Sequence, residues 1–480
     1  RHNGPFLLFW SIMGLIDGTW FTSYLMTRNL QAAPLRKSFL FRLTVFLAGM
    51  VTAFVALAGD ARALIRDEEI ETTIRFWSAP IFHAANLDPD AVAVYIISET
   101  ALNAFVSGGQ NIFLTSGLLM RSESPGQVKG VIAHEAGHIA GGHLARLQEA
   151  LKHAQLESII AMVLGAGIIA GSGGEAGGAG GAVIMGGQEI AGRNLLKYTR
   201  GQEAAADQAA MSYLDRTGQS SKGMEDFMRI LAQHEAIYVG QSDPYLRSHP
   251  MTRDRVEVIG NHVANSRWSD VPEPPQSVLA HARMRAKLLA FLEPLDRTLK
   301  EYPESDTSLP ARYAQAIAYY RKGNLARALP LVGGLIAEHP DDPYFHELRG
   351  QMLFENGHLA EAVQSYKVAV GLKPDSALFL TMLAQAQLEL NDPAQTRAAT
   401  AHLVEAVKLE KDNAGSWNFL AIAYGRQGQV GLSSLALAEK FLIRGKNKDA
   451  HAQAKRAEKA LPHGSPSWLR AQDIITVAKK

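Results

Sequence analysis

Beyond residue 63, hydrophobic and polar positions follow two rhythms. "AVAVYIIS" (Ala91 to Ser98) and "NIFLTSGLL" (Asn111 to Leu119) are short apolar runs rich in β-branched residues and read as strands. "SGGQ", Ser107 to Gln110, is a hairpin turn ahead of the second run. Most of the remainder keeps helical spacing. Leu64 to Trp77 sets Ile70, Ile74 and Trp77 on one helical face. Ser124-Pro125 opens a helix that fills Gly126 to Gln148 in spite of Gly137, Gly141 and Gly142. Another runs from about Glu189 to Leu214. The pattern predicts a mainly α fold with a small β-sheet.

The last third of the chain repeats itself. "AIAYYRKGNLARALPLVGGLIAEHPDD" (Ala316 to Asp342) is echoed by "GQMLFENGHLAEAVQSYKVAVGLKPDS" (Gly350 to Ser376). Gly323 and Gly357, Ala328 and Ala362, and Pro340 and Pro374 are each 34 apart, the period of tetratricopeptide repeats. Ala384 and Asn391 continue the register. Three extra residues near "NDPAQT" then place Ala421 and Gly428 37 further on. An α-solenoid of paired helices is expected over 305–480. Pro272, Pro274 and Pro275 mark a boundary, followed by a linker helix within 271–304. The segment 64–270 then forms a domain of its own.

Two apolar segments fall outside these rhythms. Leu43 to Ala58 carries no charge, follows Arg36, Lys37 and Arg42, and precedes Ala61 and Ala63 in an A-x-A arrangement. That is the layout of a signal peptide within a leader spanning 1–63, with a membrane anchor as the alternative. Residues 1–25 are left out of the fold, because Met26 is a candidate start. Ile159 to Gly187 is apolar and glycine-rich, and reads as a loop, a lid over a site or a membrane-touching hairpin.

Composition narrows the chemistry. The 480 residues include no cysteine, which excludes disulfides, thiolate metal sites and a cysteine nucleophile. A net charge of +1 gives no case for nucleic acid. Histidine is where the chemistry gathers. His134, Glu135 and His138 form H-E-x-x-H within a helix. Four-residue spacing stacks both imidazoles on one face, where they grip a zinc ion. Glu135 beside them suits a base that deprotonates a metal-activated water during peptide hydrolysis. A third protein ligand is required. His143 is one residue early for the spacing H-E-x-x-H-x-x-G-x-x-H and, on a continuing helix, points to another face. Glu203, in "RGQEAAADQAA", is the better candidate, with Asp207 one turn on to fix a histidine tautomer.

"HEAGH", then "RGQEAAAD", then "SHPMTRDR" resemble the HtpX and CAAX-prenyl-protease lineage of gluzincin metallopeptidases. The resemblance covers about Asp67 to Val256, and "NAFVSGGQNIFLTSGLL" is similar to the strand before that lineage's active-site helix. It implies one zinc per chain held by His134, His138 and Glu203, with Glu135 as general base. It also implies Arg200 and Asp207 as supports behind the ligands. For His249, in "SHP", the resemblance implies a ring facing the zinc, either stabilising an oxyanion or capping the metal at rest; the alternative is a solvated loop histidine. Arg255 would pair with a carboxylate. Asn111 to Thr115 is either a buried strand or an edge that receives substrate by β-addition.

A leader before this domain and repeats after it resemble a periplasmic branch of the lineage, one engaged in quality control of misfolded or outer-membrane proteins. Protein substrates, and an outer-membrane or assembly partner at the repeats, are then expected, with peripheral membrane contact through the glycine-rich segment. The alternative is a repeat-based chaperone with a latent protease domain. An integral-membrane protease lacks the apolar spans it would need.

Overall fold

The computed structural model describes residues 64–147, 199–237, 249 and 252–479, with a few isolated positions between 149 and 185. The leader expected over 1–63, the glycine-rich run 159–187 apart from two isolated positions, and the start of the helix expected from Glu189 lie outside the described residues. No helix among the described residues is long and apolar enough to cross a membrane.

Among the described residues, four strands form one sheet: β1 (Leu64–Ile65), β2 (Ala93–Ile97), β3 (Ala104–Ser107) and β4 (Asn111–Thr115), in the order β1-β2-β4-β3. β2 and β4 pair in parallel, and the outer pairs are antiparallel. Alternation separates the faces. Ile96, Ile112 and Leu114 are buried against helices. Tyr95, Phe113 and Phe105 stack across three strands on the other face, with ring centroids 5.2 and 5.1 Å apart. The expected hairpin turn lies between β3 and β4, where Gly108 and Gly109 take positive φ.

Two expectations need correction. The first helix is Glu68–Ala84, starting and ending later than Leu64 to Trp77. Asp67 caps it by accepting from the Ile70 N–H at 3.0 Å, and Glu68, Glu69 and Glu71 suit the positive end of its dipole. It continues through Pro80, because Ile81 and Phe82 beyond it are fully buried. The second strand stops at Thr115, whose hydroxyl caps the short helix Ser116–Arg121. Asn111 to Thr115 is an inner strand, the buried-strand alternative of the two left open; the edges are β1 and β3.

The helix bearing the histidines is Pro125–Ala140, capped by Ser124. It packs between a helix over 199–216 and the helix Lys222–Ile237. The helix Pro275–Leu292 follows the prolines and joins two cores: Met284 and Leu288 belong to the first, Ala286, Ala290 and Phe291 to the second. Five helix pairs then run from Leu309 to Val477. The recurring Gly323, Gly357, Asn391 and Gly428 each hold positive φ at the turn inside a pair. The three extra residues extend one second helix, Pro393–Leu409, to 17 residues against 14 in Leu359–Leu372.

Candidate metal centre

His134 and His138 project from successive turns of Pro125–Ala140, with their Nε2 atoms 3.0 Å apart. The helix over 199–216 brings Glu203 to them. Its Oε2 lies 3.4 Å from His134 Nε2 and its Oε1 3.3 Å from His138 Nε2. His249 arrives from a third segment, with Nδ1 3.3 Å from His134 Nε2 and 3.2 Å from Glu203 Oε2. One ligand atom from each of the four residues lies within 4.8 Å of the others. Donors bonded at about 2.0–2.1 Å to a tetrahedral ion stand about 3.3 Å apart. The separations found here match that spacing, so the donor set fits one such ion.

Charge points the same way. Glu203, Asp207 and Glu135 are all buried, and Arg255 is the fixed cation among them. Burial opposes ionisation of Glu203, yet hydrogen bonds from His134, His138 and His249 outweigh it and hold the carboxylate well below its ordinary range. Burial would also lower His134. Asp207 and Glu203 reverse this and raise it to about 10, so the site favours positive charge between its imidazoles. His138 is lowered, chiefly by burial. Both Glu135 oxygens are buried and find no hydrogen-bond partner among the described residues, and Oε1 lies 3.5 Å from His249 Nε2. A buried carboxylate left this way is poised for a ligand.

Around these groups stand three supports. Asp207 Oδ1 is 2.9 Å from His134 Nδ1. Arg255 reaches both Asp207 oxygens, through Nε at 2.6 Å and a terminal nitrogen at 2.9 Å, and its other terminal nitrogen is 3.0 Å from Glu203 Oε2. Arg200 is exposed on the 199–216 helix, and Arg255, from Arg253–Asn265, supplies the guanidinium at these carboxylates. The third support is His143, whose Nδ1 is 3.0 Å from His138 Nδ1. The helix stops at Ala140, and Gly142 takes φ +62°, so the projection of His143 along an unbroken helix does not apply. Burial and nearby positive charge push the His143 pKa down to about 4, which keeps the ring neutral.

Residues 66–263 match Peptidase family M48, and residues 313–377 match a tetratricopeptide repeat. The chain is a metalloprotease: an M48 peptidase domain followed by helical repeats. In particular, it is similar to proteins named β-barrel assembly-enhancing protease. It is 24% identical to that of Escherichia coli K12 over 423 residues, 86% of this chain and 84% of the relative. It is 25% identical to that of Yersinia pestis over 385 residues, 78% and 76% of the two chains. Among solved structures, the crystal structure of MamA is 19% identical and covers 34% of this chain and 92% of that one, with a TM-score of 0.27.

Proposed function

We propose that the chain is a zinc endopeptidase of the periplasm that acts in quality control of outer-membrane or misfolded proteins. The observation that carries the reading is the tetrahedral spacing of His134, His138, Glu203 and His249, with the unpartnered Glu135 carboxylate beside it. His134 and His138 would hold the ion through Nε2 and Glu203 through a carboxylate oxygen. When bound, zinc supplies a Lewis acid that brings the pKa of a water close to neutrality and polarises a carbonyl. Glu135 takes a proton from the attacking water and passes it to the leaving amine. Asp207 accepts from His134 Nδ1–H and so turns the His134 Nε2 lone pair inward.

For His249 the capping role is the reading favoured here: its Nδ1, 3.3 Å from His134 Nε2 and 3.2 Å from Glu203 Oε2, would add a fourth donor to the set. Substrate adds in extended form to β3, the sheet edge that packs beside the histidine-bearing helix. The names of the relatives support outer-membrane β-barrel proteins as clients and an assembly machinery as partner. The repeats are the surface suited to hold them.

Metal analysis and casein cleavage test this reading together. Wild type should carry about one zinc per chain, and Glu203→Ala should lose it. Glu135→Gln should keep the zinc and lose roughly 10²–10⁴-fold in cleavage. Equal cleavage by Glu135→Gln and wild type would remove Glu135 as the base. Client binding without cleavage by zinc-loaded wild type would favour the repeat-based chaperone instead.

A further inference from the structure

We propose that His143 is a positioning residue of the metal centre: it accepts a hydrogen bond from His138 Nδ1–H and thereby fixes the tautomer that turns the His138 Nε2 lone pair to the ion. The inference rests on the metal-binding reading above. Two imidazole Nδ1 atoms 3.0 Å apart share one proton, so one donates and the other accepts. His138 Nε2 faces His134 Nε2 at 3.0 Å and Glu203 Oε1 at 3.3 Å, among the proposed ligand atoms. Its lone pair is needed there, which leaves the proton on Nδ1. His143 Nδ1 is therefore the acceptor, and its own proton sits on Nε2. The rings meet at 81° with centroids 5.0 Å apart, an arrangement compatible with that bond.

This contact is built by its surroundings. A Cβ at Gly141 would stand 2.4 Å from His143 Nε2, so the ring folds back over a position that only glycine leaves open. Gly142, at φ +62°, turns the chain so that His143 returns towards the helix it has just left. The His143 carbonyl accepts from Gln202 Nε2 at 3.1 Å, and Gln202 is the neighbour of Glu203. The His143 backbone is thus tied to the helix that supplies the third ligand. His143 itself is 6% exposed.

The two helix-borne histidines are then backed differently. Behind His134 stands a carboxylate, Asp207; behind His138 stands a neutral ring. A carboxylate behind an imidazole makes it a stronger electron donor, and a stronger donor weakens the ion as a Lewis acid. A neutral acceptor orients His138 without that loss. The test is therefore the charge placed at 143. Asparagine sets Oδ1 about where Nδ1 stands and keeps a neutral acceptor. Leucine removes the acceptor, and aspartate adds charge.

Zinc affinity of the full chain, read by competition with a chromophoric chelator, should fall about 10–100-fold in His143→Leu. It should stay within about threefold of wild type in His143→Asn. In His143→Asp, affinity should hold, while the acidic limb of the pH profile for peptide cleavage moves to higher pH. Circular dichroism of each metal-free variant reports whether it folds. Wild-type affinity in a folded His143→Leu would overturn the proposal. So would loss of zinc from His143→Asn equal to that from His143→Leu, or an unmoved profile in His143→Asp. These failures leave the zinc reading intact, whereas wild type without stoichiometric zinc overturns that reading itself.

Discussion

Arg255 shows how one side chain couples charge to the site. It is 4% exposed and carries the guanidinium that faces both Asp207 and Glu203. Removing one partner of a buried ion pair costs roughly 3–5 kcal/mol, because the other charge is left uncompensated. A bound dication supplies part of the missing charge. Arg255→Leu should therefore lower the unfolding midpoint much more in chelator than with saturating zinc, as thermal melts of both forms would show. Equal losses in the two conditions would mean that the guanidinium supports packing alone. The resemblance implied Arg200 as a support and left Arg255 only a pairing with some carboxylate, without saying which. Arg255 lies 48 residues from Asp207, and no local spacing encodes such a contact. His134, Glu135 and His138 were legible because one turn of helix brings them together. Glu203 was picked out by its place one turn before Asp207 in an alanine-rich helix, and the resemblance agreed. His143 was misread because its direction depends on a helix break at Gly141–Gly142.

Among the elements, the crossing of Pro125–Ala140 with the 199–216 helix sets the geometry. A Cβ at Gly137 would lie 2.9 Å from the Ala206 carbonyl oxygen and 3.1 Å from Ala206 Cα. Ala206 sits between Glu203 and Asp207, so any displacement there moves both carboxylates. The sequence presents Gly137 as a weak point in a helix, costing up to about 1 kcal/mol against alanine. The structure reverses its meaning, because the glycine is what lets the two helices approach. Gly137→Ala should leave the repeats folded yet reduce zinc affinity and peptide cleavage, the latter by about 10²-fold for a displacement near 1 Å. Metal titration beside a cleavage assay checks this, and an unchanged affinity would show that the helices yield without moving Glu203. The run Asn111 to Leu119 teaches a related lesson. Its apolar residues suit a strand or a helix equally, and the Thr115 cap decides where one becomes the other.

At the scale of the whole molecule, the period of 34 announced the repeats, but nothing in the sequence announced how the peptidase domain docks on them. The docking is made by the acidic start of Glu68–Ala84. Glu69 accepts from Tyr313 Oη at 2.8 Å and pairs with Arg283 at 2.6 Å, and Asp67 pairs with Lys287 at 2.7 Å. Glu68 accepts from Ser376 at 2.6 Å, and Arg66 pairs with Glu410 at 2.7 Å. These partners lie hundreds of residues apart in the chain, so sequence periodicity carries no sign of them. Glu347 completes the cluster, 3.9 Å from Lys287. Burial, only partly opposed by Lys287 and reinforced by Asp67, Glu69 and Glu68, raises its pKa from 4.5 to about 7. The folded state therefore holds the Glu347 proton more tightly than the unfolded state does. Its contribution is fully present below about pH 4.5, fades as pH rises through 7, and is level beyond that. A shift of this size corresponds to roughly 3 kcal/mol. Glu347→Gln keeps the volume and removes the titration. Urea unfolding followed from pH 4 to pH 8 should give matching stability for the two proteins at the acid end. At pH 8 the variant should lead by up to about 3 kcal/mol. Parallel curves across the range would mean that Lys287 keeps Glu347 ionised throughout and that this junction holds the two domains together independently of pH.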